Sequence, residues 1–255
     1  MGILSLDLLI KISCKNRSQL QSIMSKSIAI IPARGGSKRI PRKNIKDFLG
    51  KPIIAYSIEA ALKSGLFDEV MVSTDSEEIA NIAKQYEASV PFFRSKKTSD
   101  DYATLVDVIE EIILRYEQQG VYFDTICCIL PTAPFITSLR LIEGFNLLEE
   151  NKYDSITPVI QYSYPIQRAL QIDENNRLSM IYPENMCKRS QDLVPVYHDS
   201  GQFYWGRIES FMNERTFFMK NGGAIIISEN EGQDIDTMED WQLAEMKYEL
   251  LRYSK

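Results

Sequence analysis

The chain has few residues that could build covalent cross-links. Its 255 residues include only four cysteines, Cys14, Cys127, Cys128 and Cys187. Their spacing fits neither a metal site nor a dense disulfide framework, and adjacent cysteines on a strand point to opposite faces. The sequence therefore argues against a small disulfide-stabilised domain and favours the reducing cytoplasm.

An excess of positive charge is also lacking. The formal net charge is -6 and the pI is near 5.1, whereas nucleic-acid and membrane-surface binding favour a strong positive bias. The apolar run at 3–10 contains Asp7 and is too short to span a bilayer. We therefore predict no nucleic-acid partner and no membrane partner. The length and the 44% hydrophobic content predict one domain with an arm.

Both common phosphate motifs, GxxxxGK[ST] and GxGxxG, are absent. Instead, residues 28–44 (IAIIPARGGSKRIPRKN) run from an apolar strand into Gly35 and Gly36 and then into a basic loop. Six cations without an acid lie between 34 and 46: Arg34, Lys38, Arg39, Arg42, Lys43 and Lys46. Glycines let backbone N–H groups approach an anion, and cations supply the opposite charge. The pattern indicates a cradle for a tri- or pyrophosphate; a solvated basic loop or a nucleic-acid patch is the alternative.

This loop resembles the opening loop of the nonulosonic acid cytidylyltransferases, ARxxSKxxPxKN. The six matching positions are Arg34, Ser37, Lys38, Pro41, Lys43 and Asn44. The resemblance implies that the loop holds the phosphates of CTP and gives these nucleotide-binding residues: Ala33, Arg34, Gly35, Ser37, Lys38, Lys43 and Asn44. It implies catalytic roles for Lys43, Arg34 and Lys38, with Lys43 nearest the reacting α-phosphate.

Apolar strand-like and helix-like segments alternate four times between 28 and 151, which predicts an α/β fold with a parallel sheet covered on both faces. The predicted strands are 29–31, 68–74, 90–93 and 125–130, and a further buried strand is predicted at 223–228. The resemblance implies a three-layer Rossmann-like nucleotidyltransferase fold, mostly parallel, with a dimerisation and sugar-binding arm. Because family members begin close to the first strand, we expect 1–23 to be an upstream extension and 24–255 to be the domain.

Two polar segments follow the predicted strands 68–74 and 90–93. Asp75 precedes a predicted helix over 76–86, and we favour a helix-capping role over contact with the ribose. Residues 94–104 (RSKKTSDDYAT) precede an amphipathic helix and, on composition alone, form an ordinary loop. The resemblance implies that Arg94, Ser99 and Asp100 help to embrace the cytosine base.

The alternation stops near Tyr153, and a long irregular segment extends to 205. Such a segment in a compact domain is usually functional or an interface. The resemblance makes it an arm that supports a homodimer and forms the pocket of a nine-carbon acidic sugar. The sugar-binding candidates are Arg189, Arg168, Gln167, His198 and Gln202. Arg189 is preferred for the sugar carboxylate because arginine donates two parallel hydrogen bonds, whereas a lone histidine such as His198 more often has a structural role.

Two motifs in the arm, SYPIQRA and YHDSGQFYWG, resemble the pseudaminic acid branch of the family. Leu130 and Gln167 stand where the sialic acid branch has glutamine and lysine. We therefore expect pseudaminic acid as the acceptor.

Near the end of the chain, Asp234 and Asp236 would project the same way if DID is extended, which suits Mg²⁺. Capping of the following helix by Asp236 and Thr237 is the alternative, and the family's IDIDT motif supports the metal role. Thr237 and Asp240 also predict a capping box.

The implied reaction joins the anomeric hydroxyl of the sugar to the α-phosphorus of CTP and releases pyrophosphate. Three alternatives remain on sequence alone: activation of legionaminic, sialic or Kdo acid, a metal-dependent glycosyltransferase that uses a nucleotide-sugar, and a nucleotide-binding relative without activity.

Overall fold

The computed structural model describes residues 25–100 and 102–253, so the predicted extension 1–23 lies outside the described residues. The strands in this part of the chain are β1 (Ser27–Pro32), β2 (Asp47–Phe48), β3 (Lys51–Pro52), β4 (Glu69–Ser73), β5 (Thr125–Ile129), β6 (Ser155–Gln161), β7 (Leu170–Ile172), β8 (Leu178–Met180), β9 (Tyr197–Asp199), β10 (Phe203–Arg207) and β11 (Gly222–Ile227). The central sheet has the order β11-β6-β10-β5-β1-β4, and β9 pairs with β6.

The helices described are α1 (Ile53–Ser64), α2 (Glu77–Gln85), α3 (Lys96–Ser99), α4 (Leu105–Gln118), α5 (Ser138–Glu150), α6 (Ile208–Glu214) and α7 (Met238–Tyr253). Local sequence explains their ends. Gly65, with φ of 65°, ends α1 in a left-handed conformation that glycine adopts without strain. Thr104 and Asp107 form the capping box that begins α4. Among the described helices, none has the length and apolar character needed to cross a bilayer.

The sheet direction explains where a ligand would bind. β1 runs parallel to β4 and to β5, and β6 runs parallel to β11, whereas β10 is antiparallel to both of its neighbours. After β1 the chain goes first to β4 on one side and then to β5 on the other side. The strand order therefore reverses at β1, and ligands of such sheets bind at the carboxyl ends of strands beside this reversal. The predicted α/β fold is confirmed.

Apolar residues fill both faces of the sheet, as alternating strands require. Ala29, Ile31 and Cys127 pack on one face with α1 and α5, and Ile30 and Cys128 pack on the other face with α4. Neighbouring residues thus enter different layers of the core, which confirms that Cys127 and Cys128 point to opposite faces.

A third cluster joins the basic loop to the end of the chain. Ile40 from the loop, Ile235 from the DID segment and Trp241 from α7 are all at most 2% exposed and pack together. Phe48 contributes a ring 5.6 Å from that of Trp241, in an edge-on arrangement. This cluster brings two segments distant in sequence to one edge of the sheet.

Two predicted strands differ from the structure. Residues 90–93 do not form a strand; only Ser89 bridges to Met71, because Pro91 has no N–H to continue the ladder. The strand predicted at 223–228 exists as β11 but is not buried on both faces. It lies at the edge of the sheet, so Ile225 and Ile227 enter the core and Ile226 is 60% exposed.

The predicted arm region 153–205 divides into two parts. Its ends contribute β6 and the first half of β10 to the central sheet. Between them, residues 162–196 carry the small antiparallel hairpin of β7 and β8 and several short 3₁₀ turns. We use "arm" below for residues 162–196.

Candidate active site

The basic loop lines an open cleft of about 400 Å³ at the carboxyl edge of β1 and β5. Five residues predicted to bind nucleotide line this cleft together: Arg34, Ser37, Lys38, Lys43 and Asn44. The turn after β5 forms the opposite wall with Leu130, Pro131 and Thr132. The cleft therefore combines cationic side chains with a rigid proline turn, as suits a ligand with several phosphates.

The loop is held by buried residues beneath its charged ones. Ala33 is fully buried and donates its N–H to the Ser73 carbonyl over 2.8 Å, which ties the end of β1 to β4. Asn44 is 7% exposed, and its Nδ2 donates to the Arg34 carbonyl over 2.9 Å. These bonds fix the loop from inside.

Asp75 lies beside the loop, and its predicted capping role is wrong. The side chain of Ser76 caps α2 by accepting a hydrogen bond from the Ile79 N–H. Asp75 instead accepts from the Gly35 N–H over 2.8 Å. A Cβ at residue 35 would lie 3.2 Å from the Ser76 Cβ, so the glycine permits this close approach. Sequence reasoning missed the contact because serine and aspartate both cap helices well.

The DID segment meets the basic loop directly. Ile235 is 1% exposed and points into the core, while the aspartates on either side of it are solvent-accessible. Lys43 Nζ donates to the Ile235 carbonyl over 2.6 Å and lies 3.6 Å from an Asp236 carboxylate oxygen. Arg39 pairs with the same carboxylate at 2.7 Å. The predicted cradle and the predicted metal ligands thus belong to one site, and Arg39 is a contact that the sequence did not reveal.

The pair of aspartates fits a magnesium ion by its chemistry. Desolvation by the surrounding protein raises the pKa of Asp234, and the negative charge of Asp236 raises it further. The two carboxylates, two residues apart on one segment, are therefore near enough for the charge of one to act on the other. Mg²⁺ is commonly bound through one or two carboxylates together with substrate phosphates. Among the described residues no group of three or more possible ligands occurs, so phosphate and water would complete the coordination. Thr237 and Asp240 form the predicted capping box.

The segment predicted to embrace the base contacts the basic loop through Arg34, which lines the cleft. Arg94 Nε donates to Ser73 Oγ over 2.9 Å, and burial lowers the pKa of Arg94 to about 10. The Arg34 guanidinium donates to the Asp100 carbonyl over 3.2 Å. The Ser99 hydroxyl donates to the Ser95 carbonyl over 2.7 Å, inside the turn. These contacts place the segment against the cradle, with Arg94 behind it.

A second cavity, of about 280 Å³, lies beside Asp234. It is lined by the candidate His198 and by Ser200, whose buried hydroxyl has no hydrogen-bond partner. The His198 ring packs on Tyr162, with ring centres 4.9 Å apart. The candidate Gln202 is 3% exposed and donates to the Glu231 carbonyl. Ser200 gave no sequence signal, because an unpartnered hydroxyl is visible only after folding.

The remaining sugar candidates lie in the arm. Gln167 Nε2 donates to the Val194 carbonyl over 2.8 Å, and Arg168 reaches Ser190 Oγ at 3.4 Å. Arg189 is exposed and begins a short 3₁₀ turn. The described contacts of these three residues stay within the arm, unlike those of His198 and Gln202.

Comparison with known proteins agrees with this geometry. The chain is 43% identical over 225 residues to a pseudaminic acid cytidylyltransferase of Campylobacter jejuni (strain 81-176), covering 88% of this chain and 97% of the relative. It is 33% identical over 232 residues to a CMP-N,N'-diacetyllegionaminic acid synthase of Legionella pneumophila, covering 88% of this chain and 96% of that relative.

A solved structure shares the fold at lower identity. CMP:2-keto-3-deoxy-manno-octonic acid synthetase complexed with CTP superposes with a TM-score of 0.63 at 18% identity, covering 90% of this chain and 100% of that one. The model of the family described as "Cytidylyltransferase" matches residues 28–218. With this match and these near full-length relatives, the chain belongs to the cytidylyltransferase family.

Proposed function

We propose that the chain transfers the cytidylyl group of CTP to the anomeric hydroxyl of a nonulosonic acid, with pseudaminic acid as the acceptor. The products are the CMP-sugar and pyrophosphate. The relative with 43% identity carries this acceptor in its name. The motifs SYPIQRA and YHDSGQFYWG, together with Leu130, which lines the cleft, favour the same branch.

One observation carries the proposal. Lys43 and Arg39 from the basic loop meet Asp236 from the end of the chain at 3.6 and 2.7 Å. A site for a nucleoside triphosphate with magnesium needs cations for the phosphates and carboxylates for the metal within one cleft. A nucleotide-binding loop alone would not require the aspartates.

The proposed chemistry is a single displacement at phosphorus. The anomeric hydroxyl gives up its proton to water, its oxygen forms a bond to the α-phosphorus, the bond from this phosphorus to the bridging oxygen breaks, and pyrophosphate leaves. Such transfers depend on alignment and on neutralising developing charge. Lys43, whose side chain is only 19% exposed, would face the α-phosphate. Arg34 and Lys38 would hold the leaving pyrophosphate.

Asp234 and Asp236 would hold Mg²⁺. When bound, the ion would neutralise phosphate charge and lower the pKa of the sugar hydroxyl, which is why we assign no histidine base. Arg39 now pairs with Asp236 and would have to release it to the metal. Its guanidinium could then turn toward the phosphates.

The acidic sugar would occupy the cavity beside Asp234, which His198 lines, with Gln202 as a further candidate contact and Arg189 and Arg168 as partners for its carboxylate. The arm exposes a group of large apolar side chains: Tyr164, Leu170, Ile172, Leu178, Met186 and Val194. Exposure of this many large apolar side chains in one short segment suits an interface. We propose a homodimer in which the arms meet. The thiols described, at Cys127, Cys128 and Cys187, are free and suit the cytoplasm.

The experiment is a pyrophosphate-release assay with CTP, Mg²⁺ and a panel of pseudaminic, legionaminic, sialic and Kdo acids. We expect the highest kcat/KM with pseudaminic acid. A preference for legionaminic acid is the main alternative, since the relative with 33% identity is named for that product. Binding of CTP without release for any acid would contradict transfer and leave a binding role. Release of a sugar from a nucleotide-sugar instead would indicate a glycosyltransferase.

A further inference from the structure

The turn 94–100 is attached to the rest of the protein at its two ends. Its first residue, Arg94, donates its N–H to the Thr74 carbonyl over 3.0 Å at the edge of the sheet. Its last residue, Asp100, accepts from Arg34 of the cradle. The helix α3 within the turn has only four residues, which is too short to be stable by itself.

Glu111 of α4 holds the middle of this turn. Its carboxylate accepts from the Ser95 N–H over 3.0 Å and from the Ser95 hydroxyl over 2.9 Å, and it also accepts from the Thr98 hydroxyl. Thr98 is 4% exposed, so its hydroxyl has little access to water. Hydrogen bonds to an ionised acceptor are stronger than neutral ones.

Arg115 fixes the position of Glu111. Its guanidinium pairs with the Glu111 carboxylate at 2.6 Å and donates to the Phe93 carbonyl over 2.7 Å. It also lies over the Phe92 ring, 4.9 Å from the centroid. Burial would raise the pKa of Glu111, but the bonds from Thr98 and Ser95 outweigh it and lower this pKa, so the carboxylate stays ionised.

We propose that Glu111 is a positioning residue for the base of the nucleotide: it holds the turn 94–100 at the rim of the cleft while lying outside the cleft itself. This inference rests on the proposed function and on the expectation, from the family resemblance, that Arg94, Ser99 and Asp100 of the turn contact the cytosine. Glu111 lines a separate surface groove with Ser95, Thr98 and Arg115. Its effect on the nucleotide is therefore indirect and passes through the backbone of the turn.

The test compares Glu111→Gln with Glu110→Gln. Glu110 is adjacent on the same helix and also forms an ion pair, but with Arg215 instead of the turn. We expect Glu111→Gln to weaken CTP binding about tenfold, measured by titration calorimetry, because it removes the charge from three hydrogen bonds. It should raise the KM for CTP similarly with kcat nearly unchanged, and narrow the preference for CTP over UTP. Glu110→Gln should change none of these.

Thr98→Val provides a second variant that leaves Glu111 in place and removes one donor from the turn. It should also weaken CTP binding, but by less than Glu111→Gln does. The inference is overturned if both variants melt at the wild-type temperature and bind CTP as Glu110→Gln does. It is also overturned if Glu111→Gln lowers kcat and leaves the CTP to UTP ratio unchanged. If wild-type protein binds no CTP, the proposed function fails first, which distinguishes the two failures.

Discussion

At the scale of single residues, the charged side chains of the site each have more than one partner or share a partner. Asp236 is paired with Arg39 and Lys43, and Lys43 also binds the Ile235 carbonyl. Each of these groups therefore influences how the others are held before a ligand arrives. Substitutions should separate groups that act on the phosphates from groups that only fix the loop.

Lys43→Ala should lower kcat by about 100-fold or more, the usual result of removing one charge-stabilising group. The control is Arg42→Gln in the same loop, since Arg42 pairs with Glu78 of α2 instead of lining the cleft. Steady-state pyrophosphate release measures both. Equal turnover of Lys43→Ala and wild type would remove Lys43 from the catalytic step.

Asp234→Asn should abolish transfer but slightly raise the melting temperature at pH 7. The pKa of Asp234 is raised in the folded protein, so its contribution to stability is present below the ordinary value of 3.8 and is lost as pH rises through the raised pKa. At neutral pH the ionised carboxylate is therefore unfavourable, and asparagine removes that charge. The effect should be small because the residue is exposed.

Asp240→Asn is the matched control, and it should lower the melting temperature at pH 7 instead of raising it. Hydrogen bonds from the Thr237 side chain and backbone lower the pKa of Asp240, so its contribution is present at neutral pH and is lost on acidification. Thermal melts from pH 3 to 8 without magnesium measure both variants. A lower melting temperature for Asp234→Asn at pH 7 would contradict the sign assigned to Asp234.

At the scale of elements, hydrophobic spacing predicted β1, α1 and α4 well, because each buries a regular stripe of side chains. It did not predict that β10 inserts antiparallel between β5 and β6, since the apolar run FYW carries no information on direction. The edge position of β11 was missed for the same reason. Lys43 and Ile235 are 192 residues apart in sequence, so only resemblance to a family suggested their meeting.

The packing of α5 on the sheet gives a prediction at this scale. A Cβ on Gly144 would lie 2.8 Å from Trp205 Cδ1 and 3.2 Å from Phe203 Cε2. Both rings are fully buried, so Gly144→Ala should lower the free energy of unfolding by about 1–3 kcal/mol. Gly36→Ala, where a Cβ meets nothing within 4 Å, should not destabilise. Urea denaturation measures the free energy of unfolding of both variants. Equal midpoints for the two would show that α5 can move to accommodate the added methyl group.

At the scale of the whole molecule, the arm is the least enclosed part of the described chain. Ile172 and Leu178 pair across the β7–β8 hairpin and are 67% and 63% exposed. Water contact of this extent is unfavourable for large apolar side chains. A second copy of the chain would cover them.

Ile172→Glu with Leu178→Glu should convert a dimer into a monomer, because association would have to bury two unpaired charges. Sedimentation velocity measures the change. Leu139→Glu serves as the control, since Leu139 is 74% exposed but lies on α5, outside the arm. A wild-type protein that sediments as a monomer would refute the proposed dimer directly.

Both ends of the arm attach to the carboxyl edge of the sheet. β6 ends there, and β9 and β10 begin there, with Phe203 opposite Ile129. Contact with a second copy of the chain that displaces the arm would therefore also displace the strand ends beside the cleft. Progressive dilution should accordingly lower the specific activity per chain once the proposed dimer dissociates. A covalent link between the two copies should restore this activity.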